Sequence, residues 1–221
     1  MRTLIINFKN YPEVLGEGSL RLARAAEIVA ASMPVEIILA PPHPMLGVVA
    51  SRARIQVFSQ SISGDAEGAS TGAVVAEAVC ASGAAGTLLN HSEAPVKRNA
   101  LASLLPRVKK LGLRACVCAK TSGEAVQYSR MRPEFIAIEP PELIGTGVAV
   151  SKAMPELVST TVIRLRSSGY KGKILCGAGI VEGRDVERSV ELGAQGVLVA
   201  SSVVKARSWA AKIRELAGPL L

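Results

Sequence analysis

Aromatic side chains are scarce in this chain: three Phe, three Tyr and one Trp make up 3% of 221 residues. A surface that holds nucleic acid by stacking bases on rings has little to work with. Histidine is scarcer still, since only His43 and His91 occur. They lie too far apart for a helical zinc pair, and the carboxylates show no EF-hand spacing, so no metal site is expected. No run of eighteen residues is free of charge, which argues against a membrane-spanning helix and a membrane partner. The first ten residues hold Arg2 and an apolar run too short for a secretory signal. Cys80, Cys116, Cys118 and Cys176 show no framework spacing and sit in apolar surroundings, which predicts reduced thiols and a cytoplasmic location. Neither a Gly-x-Ser-x-Gly elbow nor a phosphate-loop lysine motif is present, so serine hydrolysis finds no footing.

What the chain does hold is core material, with 49% apolar and 20% charged residues. At this length one or two domains are expected, and barrels of this size are commonly one. The 26 basic residues outnumber 18 acidic ones, for a formal charge of +8. That balance suits an anionic partner, leaving nucleic acid and a phosphorylated metabolite both open. The basic residues are scattered, with no run of five, and read as solvated helix faces rather than a nucleic-acid patch.

Short apolar, β-branched runs recur at Thr3–Asn7, Val35–Ala40, Ile55–Gln60, Gly86–Asn90, Arg114–Ala119, Phe135–Glu139, Lys173–Gly177 and Gly196–Ala200. Their starts lie 20 to 38 residues apart, which leaves room for a crossover helix each time. Leu101, Leu104, Leu105, Val108 and Leu111 share one helical face. Leu20, Ala23, Ile28 and Val29 predict another apolar stripe, as do Val158, Val162 and Leu165, and Trp209, Ile213 and Leu216. The intervals after the second and fifth runs are lean and predict short helices; Pro41, Pro42 and Pro44 restrict the former. Eight βα units without a linker predict an α/β fold: one closed parallel (β/α)8 barrel over residues 1–221, with trimmed loops and helices. Asn7–Phe8–Lys9 is not the glycine turn of an open dinucleotide-binding sheet.

Chemistry in such a barrel lies at the C-terminal strand ends. Asn7 and Lys9, two apart, fall on one side if the first strand continues. Asn90–His91–Ser92–Glu93 follows the fourth strand; Ser92 and Pro95 signal a helix start, whose N-terminus would keep His91 neutral. The sixth ends in Glu139, whose apolar strand would desolvate the carboxyl and raise its pKa toward a useful base. Gly177–Ala178–Gly179 and Ala200–Ser201–Ser202 end the last two strands, where backbone N–H groups can surround an anion. Each feature also has an ordinary reading. These are a solvated Lys9, a strand-end Glu139 reaching water, a loop His91 satisfied by backbone, and a plain tight turn at Gly177–Gly179. Glu93 fits a polar network or a helix start equally, and His43 among its prolines reads as a surface loop residue.

Taken in order, these strand ends resemble triosephosphate isomerases over essentially the whole chain. Asn7–Phe8–Lys9 is similar to the family's Asn-x-Lys, His91–Ser92–Glu93 to its His-Ser-Glu, and Glu139–Pro140 through Ile144–Gly145–Thr146–Gly147 to its base and lid. Ser70–Thr71–Gly72 resembles its subunit-contact loop. The shortness and Pro140–Pro141–Glu142, where many members carry Pro-Val-Trp, resemble the archaeal branch. Gly177–Ala178–Gly179 and Ala200–Ser201 stand where Gly-Gly-Ser and Gly-Gly are common.

The resemblance implies a TIM barrel that interconverts glyceraldehyde 3-phosphate and dihydroxyacetone phosphate through an enediolate. Glu139 would be the base, with a neutral His91, and Lys9 and Asn7 would hold charge. Ile144, Gly179, Ala200 and Ser201 would bind phosphate through backbone groups. Pro140, Pro141, Glu142, Leu143, Ile144, Gly145, Thr146 and Gly147 would form a lid. The division between glutamate base, neutral histidine and closing loop is a known example for this family. It implies no cofactor and a homotetramer or homodimer. Another phosphosugar isomerase or epimerase barrel, and a basic nucleic-acid-binding protein, are the alternatives.

Overall fold

Alternation of side chains along short parallel strands builds the molecule. A computed structural model describes residues 1–64, 67–143 and 145–221. The strands are β1 (Thr3–Asn7), β2 (Glu36–Ala40), β3 (Gln56–Ser59), β4 (Gly86–Leu89), β5 (Arg114–Ala119), β6 (Phe135–Ile138), β7 (Lys173–Cys176) and β8 (Gly196–Val199). All pair in parallel with their sequence neighbours, and β8 returns to β1 with Thr3 opposite Gly196, so the barrel closes. Around it lie α1 (Glu17–Ala30), α2 (Leu46–Arg52), α3 (Ala76–Ala81), α4 (Arg98–Lys110), α5 (Ser122–Ser129), α6 (Val150–Ala153), α7 (Pro155–Ser167), α8 (Gly183–Glu191), α9 (Ser201–Val204) and α10 (Trp209–Ala217). None of the described helices is long and apolar enough to cross a membrane.

Each strand sorts its residues between two cores. Leu4 and Ile6 of β1 join the larger cluster under the helices, while Ile5 joins the barrel interior with Ile38, Phe58, Leu88, Cys116, Phe135, Leu175 and Leu198. The same parity carries inward residues down to Thr3, Glu36, Arg114 and Lys173, and up to Asn7, Gln60, Cys118, Glu139, Gly177 and Ala200. One alternation therefore supplies both a polar floor and the candidate site. Gly86 lacks a side chain for a local reason: a Cβ there would sit 2.6 Å from the Phe58 ring and 2.4 Å from the Arg114 carbonyl oxygen.

The eight strands stand where the sequence predicts them, within a residue at each end. The helices after β2 and β5 are short, as their lean intervals imply. So is α3, because the long interval before β4 is spent mostly on loop. In α1 the predicted stripe is rotated. Leu22, Ala23, Ala26 and Val29 are buried and Ile28 is 57% exposed.

On the barrel floor, Glu36 accepts hydrogen bonds from Arg114 (2.6 Å), Lys173 (2.8 Å) and Thr3 (2.6 Å). Arg114 also lies 4.6 Å over the Phe135 ring. Burial alone would raise the Glu36 carboxyl, but these partners outweigh it and bring its pKa down to about 2. A carboxyl depressed on folding stabilises above its unfolded range, near 4.5, and that contribution disappears as pH falls through about 2. Glu36→Gln is therefore expected to lower stability by roughly 2–3 kcal/mol at pH 7, with the deficit closing in acid. Urea melts of both proteins between pH 7 and pH 3 check it; a deficit that stays constant with pH would contradict the account.

Candidate active site

Glu139 is the residue after β6, its N–H donating to the Ala119 carbonyl at 2.9 Å. Only 2% of it is exposed, and among the described residues Oε2 has no hydrogen-bond partner. Burial raises the carboxyl most; the Cys118 thiol and Lys9 pull it down, Glu93 pushes it up, and the pKa settles at about 7. The base candidate thus titrates where proton transfer at neutral pH needs it. Its position depends on Gly177, inward-facing on the neighbouring strand end. A Cβ on Gly177 would lie 2.4 Å from Glu139 Cγ and 2.7 Å from Oε1.

Facing it, His91 Nε2 is 3.9 Å from Glu139 Oε1. The Glu93 backbone N–H donates to His91 Nδ1 at 3.1 Å. In the neutral ring this leaves the proton on Nε2, on the side of Glu139. Burial lowers the His91 pKa first, the Lys9 charge lowers it further, and Glu93 opposes both. A helix N-terminus at Ser92, expected from the sequence, is not what keeps the ring neutral. No helix starts at His91: residues 91 to 97 form a turn and extended chain, and α4 begins at Arg98. Ser92 lies in that turn and Pro95 in the stretch just after it. Asn90 (φ +59°) shapes it, its amide donating to the Cys118 carbonyl at 2.9 Å and its Oδ1 accepting from the Val96 N–H at 3.0 Å.

Asn7 and Lys9 also meet differently from an extended strand. β1 ends at Asn7, and Lys9 takes a left-handed φ of +50°. The Asn7 side-chain oxygen accepts the Lys9 N–H at 3.0 Å, so the pair is locked by a local bond. Lys9 Nζ lies 2.6 Å from Glu93 Oε1. Glu93 thus serves the polar network rather than a helix start. His43, expected on the surface, is half-buried; its Nε2 lies 3.0 Å from Ser59 Oγ and 3.1 Å from the Ser61 carbonyl oxygen.

Asn7, Lys9, His91, Glu139, Gly179, Ala200 and Ser201 line one cleft, with Tyr11, Gly145, Gly147 and Ser202. Gly179 has φ +70°, and a Cβ there would strike the Val148 carbonyl oxygen at 1.8 Å. The turn after β7 and the exit of the 140–147 segment are therefore in backbone contact, reinforced by Val150 N–H donating to the Ala178 carbonyl at 3.0 Å. Within that segment Pro141–Leu143 forms a 3₁₀ turn, and Gly145 and Gly147 both have positive φ. Thr146 Oγ1 donates to the Leu143 carbonyl (2.9 Å) and accepts the Val148 N–H (3.1 Å). Ile144 lies outside the described residues. Among those described, no three His, Cys, Asp or Glu side chains are grouped to hold a metal ion.

With this geometry in view, the comparisons with known proteins are specific. The triosephosphate isomerase family model matches residues 2–216. The chain belongs to the triosephosphate isomerase family. A triosephosphate isomerase of Cenarchaeum symbiosum is 48% identical over 214 residues, covering 97% of this chain and 96% of that protein. Those of Caldivirga maquilingensis (44% over 218 residues; 99% and 97% covered) and Methanocaldococcus jannaschii (40% over 213; 96% and 97%) are similar. Membership is thus shown over almost the full length, and the fold is the TIM barrel of that family.

The sequence places Gly177 and Ser202 only in anion-binding turns and gives no role to Cys118, Gln60 or Tyr11; Gly177, Tyr11 and Ser202 line this triosephosphate isomerase cleft. Strand parity was the available signal for Gly177, Cys118 and Gln60, which are inward positions at the same end as Glu139. Tyr11 is held instead by a loop contact, with Lys205 Nζ 4.7 Å over its ring, and no local pattern announces that.

Proposed function

We propose that this chain interconverts D-glyceraldehyde 3-phosphate and dihydroxyacetone phosphate, in glycolysis and gluconeogenesis, by proton transfer through an enediolate. The observation that carries this reading is a buried carboxylate, with its pKa raised to about 7, facing a neutral imidazole 3.9 Å away. Glu139 removes the proton beside the carbonyl and returns it to the neighbouring carbon. His91, its Nε2 proton directed into the cleft, polarises the carbonyl and shuttles hydroxyl protons. Lys9 leaves its pairing with Glu93 to balance the charge that develops on substrate, and Asn7 fixes its backbone. Gly179, Ala200 and Ser201 hold the phosphate through backbone groups. Residues 140–147 close over it, Ile144 among them.

The reaction moves a proton and leaves the electron count unchanged, so it calls for no cofactor and no metal. Buried free thiols at Cys116, Cys118 and Cys176 support a cytoplasmic setting. We assign residues 1–221 to one barrel domain. The exposed turn at Thr71–Gly72, where the Ala73 N–H closes onto the Ser70 carbonyl at 3.0 Å, supports a subunit contact in a homotetramer or homodimer. A strictly monomeric mass by light scattering, with full activity, would remove the oligomer.

A coupled isomerase assay, run with and without chelator, tests the function. Turnover is expected to survive chelation. His91→Ala is expected to lower kcat by roughly 10²–10⁴-fold while changing KM little, because the imidazole acts mainly in the transition state. Activity lost on chelation and restored by a divalent metal would point to another phosphosugar barrel chemistry.

A further inference from the structure

Lys9 is held in an unfavourable backbone state, and something must hold it there. A left-handed φ of +50° in a residue with a Cβ costs on the order of 1–2 kcal/mol and persists only when neighbours over-determine it. On its amino side the grip is the Asn7 side chain, at 3.0 Å from the Lys9 nitrogen. On its carbonyl side the grip comes from a different strand. Gln60, the half-buried residue just after β3, donates from Nε2 to the Lys9 carbonyl at 3.0 Å and to the Ala40 carbonyl at 3.0 Å. The same Ala40 oxygen accepts the Phe8 N–H at 3.0 Å. One primary amide therefore ties together the ends of three strands at the residue whose ammonium reaches the cleft.

We propose that Gln60 is a positioning residue for Lys9, acting on substrate only through the lysine's backbone; this rests on the isomerase reading given above. Gln60 spends both amide hydrogens on these two carbonyls, and the Ala40 oxygen also receives the Phe8 N–H. Glutamate would place an acceptor opposite two acceptors, methionine would offer no donor, and asparagine falls one methylene short. When the grip is lost, the Lys9 peptide relaxes toward an ordinary φ and its side chain leaves the cleft at a new angle. Misplacement by ~1 Å of a group that meets the transition state can cost about 10²-fold.

A double-mutant cycle tests this. Gln60→Met is nearly isosteric and is measured alone and combined with Lys9→Ala, with kcat/KM and the affinity for inorganic phosphate as readouts. Residues that act as one unit are non-additive. Gln60→Met is expected to lower kcat/KM by about 10²-fold in the native background. In the Lys9→Ala background it is expected to cost nothing further, and phosphate affinity should follow the same pattern. An equal loss in both backgrounds would show a general structural role and overturn the proposal. So would native kcat/KM in a folded Gln60→Met enzyme. Gln60→Asn, which keeps the amide, goes through the same cycle and preserves the test if the methionine variant does not fold. Absence of isomerase turnover in the native protein would defeat the function instead, while coupling on phosphate affinity would still decide the role of Gln60.

Discussion

Glu139→Gln is expected to lower kcat by 10²–10⁴-fold or more while making the folded protein more stable above pH 7. The first effect follows from removing a positioned base. The second follows from where the carboxylate sits. Its pKa rises from 4.5 to about 7 on burial, so the native state binds the extra proton between those values and stability falls as pH rises through them. Above pH 7 the ionised group costs the fold roughly 2–3 kcal/mol, and a neutral amide of the same shape escapes that cost. Activity in the native enzyme should correspondingly decline as pH drops below about 7, where the base is protonated. Gly177→Ala separates position from ionisation. It keeps the carboxylate but drives a methyl into its Cγ, and should reduce kcat without the gain in stability. Steady-state kinetics and thermal melts at pH 5 and pH 8 check all three statements. A folded Glu139→Gln enzyme with near-native turnover would remove this residue from the mechanism.

Removing the phosphate from the substrate is expected to cost kcat as heavily as affinity. The phosphate does not react, yet its seat is coupled by backbone to the segment that would cover Glu139. Gly179, on the turn after β7, lies so close to the Val148 carbonyl that no Cβ fits between them, and the Ala178 carbonyl accepts the Val150 N–H. An anion seated at Gly179, Ala200 and Ser201 is therefore adjacent to the exit of residues 140–147. Pro140 and Pro141 stiffen the entry of that segment, while Gly145 and Gly147 already occupy left-handed conformations at its exit. Bending is thus expected at its ends. Binding energy from the remote group can close the segment and exclude water from the carboxylate. Glyceraldehyde should show a kcat reduced by orders of magnitude, on the scale of 10²-fold or more. Kinetics with glyceraldehyde and with its phosphate ester, and crystals with and without a phosphate-bearing inhibitor, are the measurements. Equal kcat for both substrates, or an identical loop in both crystals, would leave the segment as a fixed wall.

Several features were legible because they depend on neighbours in the chain. Eight β-branched runs at crossover spacing specify parallel strands, and alternation within them specifies which residues face inward. That was enough to point Asn7, Glu139, Gly177 and Ala200 toward one end of the barrel. It also limited the helices after β2 and β5, where too few apolar positions exist for a long packed face. Local pattern misled where two local signals compete. Ser92 and Pro95 have the chemistry of a helix start, but Asn90, bonded to the Cys118 carbonyl and the Val96 N–H, holds the chain in a turn until Arg98. Ile28 has a helical phase that fits a stripe, yet α1 buries Leu22, Ala26 and Val29 and leaves Ile28 exposed.

The order of strands, the closed barrel and the inward parity thus follow from the sequence by itself, because each rests on spacing and period, while the family is read from the resemblance of its strand-end motifs. The tertiary structure alone decided the electrostatics and the backbone state of the site. His91 is neutral through burial and the Lys9 charge, Glu139 is raised by an enclosure that Gly177 makes room for, and Lys9 is left-handed under the grip of Asn7 and Gln60. These depend on contacts between residues far apart in the chain, as the 84 positions between Lys9 and Glu93, and on the water that those contacts displace. Desolvation and Coulomb energy vary with distance in space, and no local pattern in the chain encodes that distance.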